Sequence, residues 1–144
     1  MKIKKLLLIL LMLGATCRAD VVTATLILEA GGEGKIGMQA VMEVIHNRSI
    51  KRNKSYQDVC LQRKQFSCWN GKNVQATISK ARNHPYWNMA KQIASKKPET
   101  NLTKGADHYH ADYVNPYWSD YMTKTVKIKR HIFYKWFDMT KTKL

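Results

Sequence analysis

The chain has 144 residues, one domain on the usual scale of roughly 100 to 200 residues, with no room for a second core. Hydrophobic residues make up 44% and charged residues 24%, and 7 Gly and 3 Pro are too few for a fibrous or low-complexity chain. With 25 Lys and Arg against 10 Asp and Glu the formal charge is +15, so an anionic partner or surface is expected.

In chain order, residues 1–19 read as an export signal. Lys2, Lys4 and Lys5 form a basic start, residues 6–13 an apolar run, and Cys17-Arg18-Ala19 ends in a small residue suited to signal peptidase. The run is short for a membrane span, which needs roughly 20 residues, so cleavage is expected rather than anchoring. Export across the cytoplasmic membrane to the periplasm, wall or exterior follows. Residues 20–144 form the single mature domain, and without the four basic residues of the leader it keeps 21 Lys and Arg against 10 Asp and Glu, or +11. With Cys17 removed, Cys60 and Cys68 remain, an even pair permitted to oxidise outside the cytoplasm. A disulfide and two buried thiols are both open readings, and neither spacing nor a nearby His indicates zinc.

Asp20 can cap a helix carrying Val21, Ala24, Leu26 and Leu28 that stops at Gly31-Gly32, although the β-branched residues also allow a strand. A second helix over about residues 35–48 places Met38, Val41, Val44 and Ile45 on one stripe and is the expected central core helix. Asn73 can cap a third helix carrying Val74, Ile78 and Ala81, and Pro85 opens a fourth with Met89, Ala90 and Ile93. After Gly105 the period changes to two. An extended 108–113 puts His108, His110 and Asp112 on one face. In 125–134 Val126, Ile128, Ile132 and Tyr134 share one side, with Lys127, Lys129 and His131 on the other. The fold expected is α+β, mostly helical, with a small antiparallel sheet or hairpin toward the C-terminus.

Only four glutamates are present. Glu99 lies in a polar loop and Glu43 among core-helix residues, on its wetter side, and both are expected to be structural. Glu29 ends an apolar segment at a helix C-terminus, and both settings favour a neutral acid over a carboxylate. A carboxylic acid able to give up a proton is what glycosidic cleavage requires, and the adjacent glycines would let a polymer approach.

The stretch from Glu29-Ala-Gly-Gly-Glu33 through a helix ending in Asn47-Arg48 resembles the opening motif of the SleB family of cell-wall hydrolases. Gln65-Phe66-Ser67-Cys68-Trp69 resembles its middle motif, and Ala106-Asp107-His108-Tyr109-His110-Ala111 with Val114-Asn115-Pro116-Tyr117-Trp118 its aromatic motif. Arg130-His131-Ile132-Phe133-Tyr134-Lys135 resembles its ending, so four motifs occur in order across nearly all of the mature chain. Gly32 and Asp107 depart from the common pattern.

The resemblance implies a lysozyme-like catalytic domain that cuts peptidoglycan glycan strands without a cofactor, with Glu29 as acid and then base. It would protonate the oxygen between N-acetylmuramic acid and N-acetylglucosamine, then take the proton of the muramic C6 hydroxyl, leaving a 1,6-anhydro end. Were water the nucleophile, a muramidase-type hydrolase, a second carboxylate would be needed, with Asp107 and Asp112 the candidates. Glu33 is expected to orient, and Phe66, Ser67, His108, Tyr109 and His110 to contact substrate. The partners expected are peptidoglycan strands and, electrostatically, anionic wall polymers or a membrane surface, with the protein a monomer.

Two other readings compete. His108, His110 and Asp112 on one strand face could hold a divalent metal in a metal-dependent wall hydrolase, although no third ligand cluster is evident. A basic, non-enzymatic wall-binding module is the other. Export argues against nucleic acid as its ligand, as do dispersed Lys and Arg.

Overall fold

The computed structural model describes residues 19–136. Residues 1–18 of the expected export signal, Cys17 included, lie outside the described residues.

Helix α1 occupies residues 19–30, and every side chain from 20 to 27 is buried. Burial all round explains a sequence without a polar stripe, because a helix surrounded by protein has no wet face. Strand propensity is overridden by that burial, and the buried Thr25 satisfies its hydroxyl on Val21 O at 2.8 Å. Asp20, expected as a cap, lies inside the helix, buried and paired with Arg82. The next helix, α2, meets other helices and the sheet and is the central core helix as expected, with the buried α1 packed beside it.

Helix α2 (Gly34–Arg52) ends on Asn53, whose φ of 49° is left-handed, so it runs one turn beyond the expected span. It serves two cores. Met38, Val41, Met42 and Ile45 join α1 in the larger cluster, while Ala40 and Val44 meet Ala106 and Phe133 in a smaller one under the sheet. The expected single stripe is thus too narrow, and Glu43 is not on a wetter side. It is 3% exposed, and its carboxylate accepts from Thr100 Oγ1 at 2.6 Å, Leu102 N at 2.8 Å, Thr103 N at 2.8 Å and Thr103 Oγ1 at 2.7 Å. That cradle holds the loop leading into the sheet.

Three short helices complete the helical half. Helix α3 (Tyr56–Leu61) is capped by Ser55, and α4 (Val74–Ala81) by Asn73, whose side chain accepts from Ala76 N at 2.9 Å. Helix α5 (Trp87–Ala94) starts after Tyr86, so Pro85 stands just outside it rather than in its first turn. Single 3-10 turns span Gly31–Glu33, Ser67–Trp69 and Tyr117–Tyr121.

Strands β1 (His108–Ala111), β2 (Met122–Ile128) and β3 (His131–Trp136) form an antiparallel sheet in the order β1-β3-β2. His108 opposes Tyr134, and Ile128 opposes His131. An extra residue at Thr125 makes a bulge between Lys124 and Val126. The stretch expected to alternate through 125–134 instead folds back at Lys129, φ 50°, and Arg130. The turn resets the phase, so His131, expected on the polar side, is buried with Phe133 and Tyr134. The α+β class and the C-terminal sheet stand as expected, and no helix among the described residues is long and apolar enough to cross a membrane.

Candidate active site

Helix α1 ends where the sheet begins to cover the helices, and this junction places Glu29. Tyr109 on β1 packs against both hydrophobic clusters and donates its hydroxyl to Glu29 Oε2 at 2.6 Å. Burial, then the negative charge of Glu29, pushes the Tyr109 phenol well above its ordinary range, so it remains a donor. The Cys68 thiol also hydrogen-bonds Glu29; burial and that same charge hold it far up in its protonated form. Glu29 is half-buried among donors rather than in hydrocarbon alone, because the last turn of α1 faces β1 instead of the core.

Glu29 lies in a cleft of about 1470 Å3, larger than the roughly 300–1,000 Å3 of small-molecule pockets. Asn73, Thr77 and Lys80 supply part of the lining from the α4 side, and His108, His110 and Trp118 another part from the sheet side. Among the described residues Glu29 is the only carboxylate in the lining, against Arg48, Lys64, Lys72 and Lys80. Tyr113, Tyr117 and Tyr121 line the cleft while staying 77%, 81% and 72% exposed, so their rings are available to a ligand. Trp118, by contrast, packs edge-on to Tyr134 with centroids 5.5 Å apart.

The Asn47-Arg48 pair at the end of α2 has a role that spacing alone did not reveal. Asn47 Nδ2 donates to Ala106 O and Arg48 Nε to Asp107 O, each at 2.7 Å, which pins the start of β1 and thereby Tyr109. Burial draws Arg48 below its ordinary value, with Tyr109 and Asp107 opposing that shift. Its guanidinium lies 4.9 Å from the centroid of the Phe66 ring. Phe66, expected to touch substrate, is buried there and does not line the cleft, because the ring packs beneath Arg48. Ser67 is exposed and does line it, as do His108, Tyr109 and His110.

Neither aspartate considered for activating water reaches the cleft. Burial raises the Asp107 carboxyl, but His108 and Lys51 outweigh this and hold it below the usual range. His108 Nδ1 donates to Asp107 at 2.9 Å, and Asp112 pairs with Lys127 at 2.8 Å. His110 Nδ1 donates to Ala111 O at 2.8 Å, leaving Nε2 to accept from Tyr134 OH at 3.0 Å. The His108, His110 and Asp112 face is therefore already committed to protein partners, and no group of three His, Cys, Asp or Glu among the described residues is placed to hold a metal. Cys60 and Cys68 are both free thiols rather than a disulfide. Cys60 is turned to Thr25 in the core, and burial pushes it up to about 12.

Glu33 opens on a smaller pocket of about 200 Å3, which shares Leu28, Glu29, Ala111, Tyr113 and His131 with the cleft and so continues it. Of the glycines next to Glu29, Gly31 faces the His84 ring and only Gly32 has open space beside it. One glycine, not two, leaves room for a ligand.

Tyr109→Phe removes the hydroxyl that holds Glu29 and should slow substrate cleavage by roughly 10- to 100-fold, the worth of about 1.5–3 kcal/mol for a hydrogen bond to a charged group. Initial catalytic rates read the effect, and a change below twofold would show that the hydroxyl does not position Glu29.

The cleft, with one carboxyl and three exposed tyrosine rings in its lining, has room for more than a small molecule. Residues 32–134 match a family model described as Cell Wall Hydrolase, and the chain belongs to that family. Membership implies a peptidoglycan-cleaving enzyme. Glu33 falls inside the matched range and Glu29 three residues before it. No curated protein matches the chain, and no solved structure does.

Proposed function

We propose that the protein is a lytic transglycosylase of the SleB type that cuts peptidoglycan strands between N-acetylmuramic acid and N-acetylglucosamine. The observation that carries this reading is the position of Glu29 as the sole carboxyl lining the cleft among the described residues, held by the Tyr109 hydroxyl. Glu29 protonates the bridging oxygen as its bond to the muramic anomeric carbon breaks. The resulting carboxylate takes the proton of the muramic C6 hydroxyl as that oxygen closes on the same carbon, giving a 1,6-anhydro end. A single group acting as acid and then base fits a cleft lined by one carboxylate, the Glu33 carboxylate of the adjoining pocket being turned to His131.

The lysozyme likeness, the export signal and the roles of Ser67, His108 and His110 in substrate contact belong to this reading. The charge of +11 on residues 20–144, 21 Lys and Arg against 10 Asp and Glu, fits attraction to anionic wall polymers or lipid, a contact that salt should weaken. Digestion of purified sacculi followed by mass spectrometry tests the reaction. Soluble muropeptides with anhydro ends are expected. Cleavage of peptide bonds alone, or binding without release, would contradict it.

A further inference from the structure

Glu33 and His131 form a buried pair that the transglycosylase reaction leaves unused. Glu33 Oε2 and His131 Nδ1 are 3.0 Å apart, yet not aligned as a hydrogen bond, and neither atom has another partner among the described residues. Isolated buried carboxylate–imidazole pairs are poor stabilisers, since desolvation costs about as much as the attraction returns. The surrounding fold nonetheless makes room for this one. A Cβ at Gly37 would stand 2.5 Å from Glu33 Cβ, so α2 can pass Glu33 only without a side chain there. Arg130 N donates to Glu33 Oε1 at 3.3 Å, and the Tyr109 ring stands edge-on to the imidazole with centroids 4.9 Å apart. Tyr109 thus touches both Glu29 and His131.

A proton on Nδ1, the nitrogen 3.0 Å from the Glu33 carboxylate, would leave the lone pair on Nε2. His131 lines both the cleft and the pocket of about 200 Å3 that Glu29 and Glu33 share. At about 30 Å3 for each water, that space suits a few waters rather than another length of glycan.

We propose that the cleft has a second, hydrolytic outlet, in which His131, oriented by Glu33, is the base for a water that attacks the muramic anomeric carbon. The inference rests on the reading of Glu29 as the acid. Glu29 gives its proton to the bridging oxygen and the glycosidic bond breaks. The water oxygen bonds to the anomeric carbon, one of its O–H bonds breaks, and that proton goes to Nε2. The imidazolium so formed faces the Glu33 carboxylate, and the product is a reducing end in place of an anhydro end. His131 would touch the reacting water, and Glu33 is its positioning residue.

The test is the ratio of reducing to anhydro ends in sacculi digested by the full chain and by His131→Gln, Glu33→Gln and Glu29→Gln. Wild type should release both ends. His131→Gln should lower the ratio at least tenfold, since a general base contributes roughly 10²–10⁴-fold. Glu33→Gln should lower it in the same direction by less. The ratio is internal to each digest, so partial loss of folded protein does not move it; if His131→Gln gives no product, Glu33→Gln decides. Wild-type products with anhydro ends only, or a ratio unchanged in the deciding variant, would overturn the proposal. Fragments from Glu29→Gln would instead overturn the assignment of the acid, and no release from wild type would remove both.

Discussion

Glu43→Gln should lower the unfolding free energy by about 3 kcal/mol, a large part of the roughly 5–15 kcal/mol that a domain commands. The native carboxylate receives four hydrogen bonds, two of them from the backbone N–H groups of Leu102 and Thr103. Glutamine keeps the shape but turns an NH2 group toward two of those donors, leaving them buried or clashing, at about 1–3 kcal/mol each. The thermal midpoint should fall by roughly 10 °C. Calorimetry or circular dichroism reads this directly, and a loss under about 1 kcal/mol would mean that the 100–103 loop finds other partners. Because that loop feeds Ala106 and Asp107 into β1, the variant should also release the sheet edge before the helices, which hydrogen exchange at His108 and Tyr109 would reveal.

Much of the helical half was legible because its signals are local. Asn73 caps α4 by accepting from a backbone N–H three residues on, and Gly31-Gly32 does stop α1. Helix α3 escaped notice because six residues are too few to show a period, although Ser55 followed three residues later by Asp58 was an available start signal. What was not legible depends on distant partners. Glu43 looks like a solvated residue until Thr100 and Thr103, nearly sixty positions away, close over it. Phe66 sits in a stretch that looked ready for substrate, but Arg48 occupies its ring face. His131 changed sides because one left-handed residue, Lys129, turned an apparent single strand into two.

The site divides the same way. Glu29 stood out through its setting at the end of an apolar helix before a glycine pair. The Tyr109 hydroxyl that holds it comes from 80 positions further along, and no spacing rule connects them. The Glu33–His131 pair was half visible, since Glu33 drew attention as an orienting group while its partner lay on a face misassigned by the turn.

Glu29→Gln should have the largest effect of any single change. Glutamine fills the same space and can still accept from Tyr109, so the fold should persist, but an amide cannot give a proton to a glycosidic oxygen. Loss of general-acid catalysis typically costs 10²–10⁴-fold, and Glu33, the carboxylate of the adjoining pocket, faces His131 rather than lining the cleft. The decisive measurement is therefore the initial rate of soluble muropeptide release from purified sacculi by this variant, alongside wild type, with circular dichroism showing both folded. A rate at least about 10²-fold lower in the variant is the expected result; release at the wild-type rate would contradict the assignment of Glu29 as the acid.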